Sequence, residues 1–171
     1  VDPGQQVVVL AERTLAFFQA GSVELSIRRV DAAFPDYESI LSDQVTNTME
    51  IDKASLVGAL ERIDVIVRNS IRTAILTLSP GGDLTIRGTA QEIGTAREIL
   101  DATIDGESMT AAFNTGYLID GLKAIEGDRV LMNFDGPSGQ MSMYRPGDRD
   151  FFYMLMPVKV SDRDLQEEEE D

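Results

Sequence analysis

The chain contains neither cysteine nor histidine. Without cysteine it has no disulfide framework and no thiolate metal site, and this composition is compatible with a reducing cytoplasm. Without histidine it lacks the commonest general base and the commonest ligand of transition metals. No apolar run approaches the roughly 20 residues that a membrane-spanning helix requires. Catalysis or metal binding would therefore have to depend on carboxylates, hydroxyl groups and lysine.

Sequence motifs that are typical of enzymes are also missing. There is no H-E-x-x-H, P-loop or G-x-S-x-G pattern. The glycines of SPGG (79–82) and DGPSGQ (135–140) lie between predicted strands, which favours hairpin turns over a phosphate-binding loop. Asp120, Asp128 and Asp135 could be read as a site for a hard cation, but solvated surface is the more frequent explanation. We therefore predict no catalytic residue, no cofactor and no metal, and an acid-based hydrolase is disfavoured.

Acidic residues are in large excess, with a formal net charge of −15. Seven acids and one arginine fall in residues 161–171, so this tail carries six of the excess negative charges and the body carries nine. Self-repulsion predicts that the tail SDRDLQEEEED is disordered. An acidic body argues against simple electrostatic binding of DNA, in which basic surface supplies most of the affinity.

Hydrophobic periodicity predicts a mixture of strands and helices. Asp52 is typical of a helix N-cap, and Leu56, Leu60, Ile63 and Val67 after it form one apolar stripe. Residues 32–48, which have no regular period and contain a proline, are predicted to be a linker. Alternating or apolar stretches predict strands at 7–12, 13–19, 22–30, 74–78, 83–87, 96–104 and 108–113, the last two as a pair.

The same pattern then begins a second time. Asn114 stands 62 positions after Asp52 as a second helix cap, Leu56 and Leu60 correspond to Leu118 and Leu122, and a second hairpin follows. A strand, a helix and several strands that occur twice indicate one domain built from two similar halves around a shared core.

Three short phrases carry a resemblance to a known family. They are FPDY (34–37), FNTGYLID (113–120) and YMLMPVKV (153–160). In this order and at these separations they resemble the bacterial sliding clamp, the beta subunit of the replicative DNA polymerase. The resemblance covers residues 7–160. It implies the DNA-clamp fold of the α+β class, in which a duplicated unit of a strand, a helix and further strands places antiparallel sheets outside and two helices on the inner face.

The resemblance also implies a domain assignment and a function. Residues 1–41 would be the end of the clamp's second domain, 42–160 the third domain, and 161–171 an acidic extension. Sliding clamps are processivity factors without catalytic activity: homodimeric rings that encircle duplex DNA and tether the polymerase, the clamp loader and other proteins that carry a clamp-binding motif. An acidic body is compatible with a ring that slides, because tight phosphate contacts would act as a brake. A cytoplasmic, nucleoid-associated location follows, with no membrane partner.

Two alternatives stay open, a stand-alone acidic binding domain and a clamp-derived fragment that binds peptide but cannot form a ring. The first clamp domain and the front of the second have no counterpart in these residues. We therefore expect the 171 residues alone to be monomeric.

Three functional surfaces follow residue by residue from the resemblance. The pocket for partner peptides would be lined by Pro35, Ser39, Ile40, Tyr117, Pro137, Met154, Met156, Pro157, Val158 and Val160. The dimer interface would include Val65, Ile66, Glu92 and Glu98, and the cations facing DNA would be Arg62, Arg68 and Lys123. Where the family often has arginine after FPDY this chain has Glu38 and Ser39, which removes a polar contact to the partner. Independently of the resemblance, Pro157 should end a strand or lie at a sheet edge, because proline cannot donate to a ladder.

Overall fold

The structure is a computed structural model, and it describes residues 4–34, 36–37, 41, 44–148 and 150–161. The chain divides into two compact units, Val1–Ile40 and Leu41–Asp171. Pro35, Ser39 and Ile40 of the predicted pocket and the acidic tail from residue 162 lie outside the described residues.

The first unit contains a three-stranded antiparallel sheet in the order β1-β2-β3. Its strands are β1 (Val8–Ala11), β2 (Leu15–Ala20) and β3 (Val23–Arg28), which confirms the three predicted strands. Among the described residues of this unit only Ala16 and Ala20 are buried hydrophobics, and every residue of β1 and β3 is exposed. A three-stranded sheet with so little buried apolar surface gains little stability by itself.

The second unit contains two antiparallel sheets and two helices. The helices are α1 (Lys53–Val67) and α2 (Thr115–Ala124). One sheet has five strands in the order β12-β11-β10-β4-β8, and the other has four in the order β7-β6-β5-β9. Their bounds are β4 (Asn47–Asp52), β5 (Thr73–Leu78), β6 (Asp83–Ala90), β7 (Gly94–Asp101), β8 (Thr103–Asp105), β9 (Met109–Asn114), β10 (Arg129–Phe134), β11 (Met141–Tyr144) and β12 (Phe152–Leu155).

Both helices begin at the predicted caps. The Asp52 carboxylate accepts a hydrogen bond from the Ser55 N–H at 2.8 Å, and the Asn114 side-chain oxygen accepts one from the Tyr117 N–H at 3.1 Å. Each bond satisfies an N–H group that the first helical turn would otherwise leave without a partner. The predicted apolar stripes of both helices are fully buried, at Leu56, Leu60, Ile63, Val67, Leu118 and Leu122.

The two sequence halves exchange their first strands. The order strand, helix, three strands occurs as β4-α1-β5-β6-β7 and again as β9-α2-β10-β11-β12. Strand β4 of the first half pairs with β10 of the second, and β9 of the second half pairs with β5 of the first. Each sheet therefore contains strands of both halves, and the core between the sheets is shared, as the duplication in the sequence predicts.

Two details of the sequence prediction are wrong. Residues 96–104 are not one strand paired with 108–113. Strand β7 pairs with β6, the chain then leaves that sheet at Ala102, whose N–H donates to the Gly82 carbonyl at 2.7 Å, and β8 pairs with β4 in the other sheet. The predicted linker 32–48 also overlaps β4, a strand whose alternation of buried Met49 and Ile51 with half-buried Glu50 is visible in the sequence.

We predict that Gly88→Ala destabilises the second unit. A Cβ atom at Gly88 on β6 would lie 2.6 Å from Ile63 Cγ2 and 2.8 Å from Val67 Cγ1, so α1 would have to move away from the sheet. Overpacking of this kind costs about 1–3 kcal/mol. The control is Gly81→Ala, because a Cβ atom there meets nothing within 4 Å. Urea unfolding should show a lower midpoint for Gly88→Ala alone, and equal midpoints for the two variants would contradict this packing.

Candidate functional site

Strand β12 forms the edge of the five-stranded sheet and ends before Pro157. This confirms the prediction that a strand stops or lies at an edge near this proline. The register pairs Met154 with Ser142 and Phe152 with Tyr144. Residues that lie directly opposite each other in an antiparallel pair point to the same face. Met141 and Met143 point to the other face and are fully buried, so the register places these four side chains on the outer face of the sheet.

A groove of about 390 Å³ lies on this outer face. Leu41, Gln44 and Val45, from the segment before β4, form one side, and strands β10 to β12 with the turn before β11 form the rest through Asn133, Phe134, Asp135, Gln140, Ser142, Tyr144 and Phe152. The side-chain N–H of Asn133 donates to the Tyr144 hydroxyl at 2.8 Å, while the Asn133 side-chain oxygen is buried and has no hydrogen-bond partner among the described residues. Five of the lining side chains are apolar or aromatic and five are polar, so the groove offers both apolar contacts and hydrogen-bonding groups.

An exposed apolar strip continues from β12. Met156 is 57% exposed and Val158 is 37% exposed, while Met154, Pro157 and Val160 are half-buried. The Val158 N–H donates to the Ala112 carbonyl at 2.7 Å, which attaches the strip to β9 at the edge of the four-stranded sheet. Met156 is thus a surface residue.

Tyr117 lies near Tyr153 on β12, and Pro137 does not line the groove. Burial raises the pKa of the Tyr153 hydroxyl on β12, and the nearby Asp120 and Tyr117 raise it further. Tyr117 is 59% exposed on the first turn of α2. Pro137, on the turn after β10, lines a separate groove with Asn47 and residues 107–110.

Two cations on the exposed face of the helices are paired with acids. The Arg62 guanidinium binds the Glu98 carboxylate on β7 through two contacts, Nε to Oε1 at 2.7 Å and Nη2 to Oε2 at 2.8 Å. Hydrogen bonding to Arg62 lowers the pKa of Glu98. Lys123 Nζ contacts Glu61 Oε1 at 2.7 Å. Arg68 forms no ion pair with a described residue, so two of the three predicted DNA-facing cations are partly neutralised within the chain.

The predicted dimer-interface residues differ in exposure. Val65 is 56% exposed, whereas Ile66 is half-buried and packs against the core. Glu92 is exposed on the turn between β6 and β7, and Glu98 makes the contact with Arg62 described above. Strand β7 is an edge strand, and Ile99 on it is 57% exposed, a feature that was not predicted from the sequence.

A second set of contacts, also missed from the sequence, ties α1 to the start of α2. The Arg72 guanidinium binds the Asp64 carboxylate at 2.9 and 3.2 Å, and the Thr115 hydroxyl donates to the same carboxylate. Arg72 has φ +50°, which is uncommon for a residue with a side chain, and its carbonyl accepts the Thr115 N–H at 3.0 Å. The hydrogen bonds from Arg72 and Thr115 hold the pKa of Asp64 below its usual value against the opposing effect of burial.

The described residues contain no group of three or more acids that could hold a metal ion. Neither helix within the described ranges is long and apolar enough to cross a membrane.

Comparison with known proteins gives concordant results. A sequence model of the C-terminal domain of the DNA polymerase III beta subunit matches residues 38–159. The beta sliding clamp of Synechocystis sp. is 31% identical over 156 residues, which cover 90% of this chain and 40% of that protein. The beta sliding clamp of Staphylococcus aureus is 26% identical over 93% of this chain and 42% of its own length. The chain thus spans about two fifths of the length of these relatives.

Solved structures give the same answer for the fold. A sliding clamp from Bartonella birtlesii, solved with griselimycin bound, superposes with a TM-score of 0.81 at 25% identity, over 90% of this chain and 41% of that one. The beta protein of DNA polymerase III from Pseudomonas aeruginosa superposes with a TM-score of 0.80 at 24% identity, over 91% of this chain and 42% of that one. The predicted α+β architecture, with antiparallel sheets and two helices, is confirmed.

We predict that Asp64→Asn destabilises the protein in a pH-dependent manner. The pKa of Asp64 is depressed in the folded state, so its stabilisation is present above the unfolded pKa of about 3.9 and is lost as the pH falls through the lower, folded value. At pH 7 the variant should lose about 1 kcal/mol, the usual scale of one hydrogen bond at a partly exposed site. Denaturant unfolding between pH 7 and pH 2 measures the difference.

The matched control is Asp105→Asn, on the exposed strand β8. It should stay within about 0.5 kcal/mol of the parent over the whole range. A deficit of Asp64→Asn that persists unchanged at pH 2 would show that the charge of Asp64 is not the cause.

Proposed function

Because this chain belongs to the family defined by the C-terminal domain of the DNA polymerase III beta subunit, we propose that it works as part of a bacterial sliding clamp. The observation that carries this proposal is the similarity to beta sliding clamps across 90% of the chain. The clamp would be a processivity factor without catalytic activity: a homodimeric ring around duplex DNA, in the cytoplasm, that tethers the replicative polymerase, the clamp loader and other proteins to the template.

We assign partner binding to the groove on the outer face of the five-stranded sheet and to the exposed strip beside it. The groove supplies both apolar and polar lining side chains, and Met156 and Val158 on the strip are exposed apolar groups. Methionine adapts to differently shaped partners, which suits a site that serves several proteins. A short peptide segment with leucine and phenylalanine side chains fits this chemistry. Pro35, Ser39 and Ile40 stay a prediction from the sequence.

The proposed dimer interface lies along the edge strand β7 and the end of α1. An edge strand offers unpaired backbone groups to a second chain. Val65 and Ile99 present apolar side chains there, Ile66 packs against the core, Glu92 is an exposed acid, and Glu98 is the acid bound to Arg62. The partner surface would be the first domain of another clamp protomer, to which basic residues would be complementary.

The proposed DNA-facing surface is the exposed side of α1 and α2. Arg62, Arg68 and Lys123 are its cations, and two of them are paired with acids. Binding of duplex DNA by this face should therefore be weak, independent of sequence and sensitive to salt.

We predict that Met156→Ala weakens binding of a labelled peptide that ends in leucine and phenylalanine. The expected loss is about 1–2 kcal/mol, as for a central interface side chain. Because Met156 is 57% exposed, its truncation should leave the unfolding transition nearly unchanged. Fluorescence anisotropy gives the affinity, and thermal unfolding gives the stability.

The matched control is Ile93→Ala, since Ile93 is also 57% exposed but lies on the turn between β6 and β7. Its peptide affinity should equal that of the parent. If Met156→Ala binds the peptide as tightly as Ile93→Ala does, the assignment of Met156 to the partner site is wrong.

A further inference from the structure

On the exposed side of α1 and α2, called the helix face below, two cations each lie beside an acid. Glu98 reaches Arg62 from β7, and Glu61 on α1 reaches Lys123 on α2. Glu61 and Lys123 are 62 positions apart, which is also the spacing of the two helix caps. They therefore occupy equivalent positions of the two sequence halves, and their contact lies where the two helices meet.

The Arg62–Glu98 pair is positioned by secondary structure at both ends. Arg62 projects from α1 and Glu98 from β7. The contact between these two side chains is bidentate, which is the strongest geometry for an arginine and a carboxylate. The Glu98 side chain is only 25% exposed, while the Arg62 side chain is 60% exposed. The acid is consequently held in place beneath a cation that faces the solvent.

An acid in this position weakens the electrostatic attraction between the cation and a phosphate group of DNA. Most of the affinity of a protein for DNA comes from cations that neutralise phosphates and release counterions. When a carboxylate oxygen lies 2.7 Å from the cationic nitrogen, the pair presents a dipole in place of a net charge. Its attraction for a phosphate is therefore weaker and falls off faster with distance.

We propose that Glu61 and Glu98 set the affinity of the helix face for duplex DNA, holding it low by neutralising Lys123 and Arg62. This inference rests on the proposed function, in which the helix face meets DNA. It assigns the two acids a role in DNA affinity in addition to whatever each ion pair contributes to folding. Their replacement by glutamine should then raise DNA affinity while the fold is retained.

The chain offers a matched control in the Glu50–Arg129 pair. Arg129 Nε lies 2.7 Å from Glu50 Oε1, and both side chains are partly exposed. Glu50 lies between Met49 and Ile51, which are buried in the core, so Glu50 points to the outer face of the five-stranded sheet. Glu50→Gln changes the net charge by the same amount and frees the same kind of cation, but away from the helices.

The experiment measures binding of a fluorescein-labelled duplex of about 20 base pairs by anisotropy, over a range of salt concentrations. Each of Glu61→Gln and Glu98→Gln should bind about threefold more tightly than the parent at low salt, and their combination about tenfold. Each freed cation should steepen the slope of log K against log salt by about 0.9. Glu50→Gln should match the parent. Thermal unfolding and native mass confirm that each variant is folded and has the parent's oligomeric state.

Two further variants separate failure of this inference from failure of the proposed function. If Arg62→Ala and Lys123→Ala weaken binding but the glutamine variants bind no better than Glu50→Gln, the helix face contacts DNA and the inference about the acids is wrong. If Arg62→Ala and Lys123→Ala leave binding unchanged, the helix face does not meet DNA. Absence of binding by every variant at the lowest salt concentration would overturn the inference as well.

Discussion

The pairing of β4 with β10 and of β9 with β5 is the constraint on which the second unit depends. Each of these strands comes from one sequence half and completes the sheet of the other half, so neither half can bury its apolar face alone. The helices follow directly from the exchanged strands, because α1 begins where β4 ends and α2 begins where β9 ends. Strand exchange thereby sets the two helices side by side, and it brings equivalent positions such as Glu61 and Lys123 into contact.

The proposed partner surface is a consequence of the same duplication. In the first half the chain leaves β7, crosses at Ala102 and adds β8 to the edge of β4. In the second half it leaves β12 and bonds to β9 through Val158. The second crossing contains Pro157, which cannot donate a ladder bond. Among the described residues beyond β12, strand pairing is limited to the hydrogen bond from Val158 to Ala112. Met156 and Val158 lie exposed at the place where the first half has strand β8.

Much of this architecture could be predicted from sequence because its signals are local. Caps at Asp52 and Asn114, apolar stripes on both helices and glycine-containing hairpins each depend on a few neighbouring residues. Sheet membership is decided by contacts between residues far apart, so the crossing at Ala102 and the pairing of β9 with β5 could not be read from the chain. The groove side formed by Leu41, Gln44 and Val45 and the αL conformation of Arg72 likewise depend on tertiary packing.

The acidity of the chain fits the proposed role in a ring that encloses DNA. A ring that encloses a duplex does not need tight phosphate contacts to stay bound, and such contacts would slow its sliding. The half-exposed Lys123–Glu61 pair contributes little stability, so the fold alone does not account for Glu61, whereas the bidentate Arg62–Glu98 pair also stabilises the fold. Both acids also alter the electrostatic field over the helix face. If the helix face lines the inside of the proposed ring, its attraction for DNA is weak for two reasons. Two of its cations are paired with acids, and the chain as a whole is acidic.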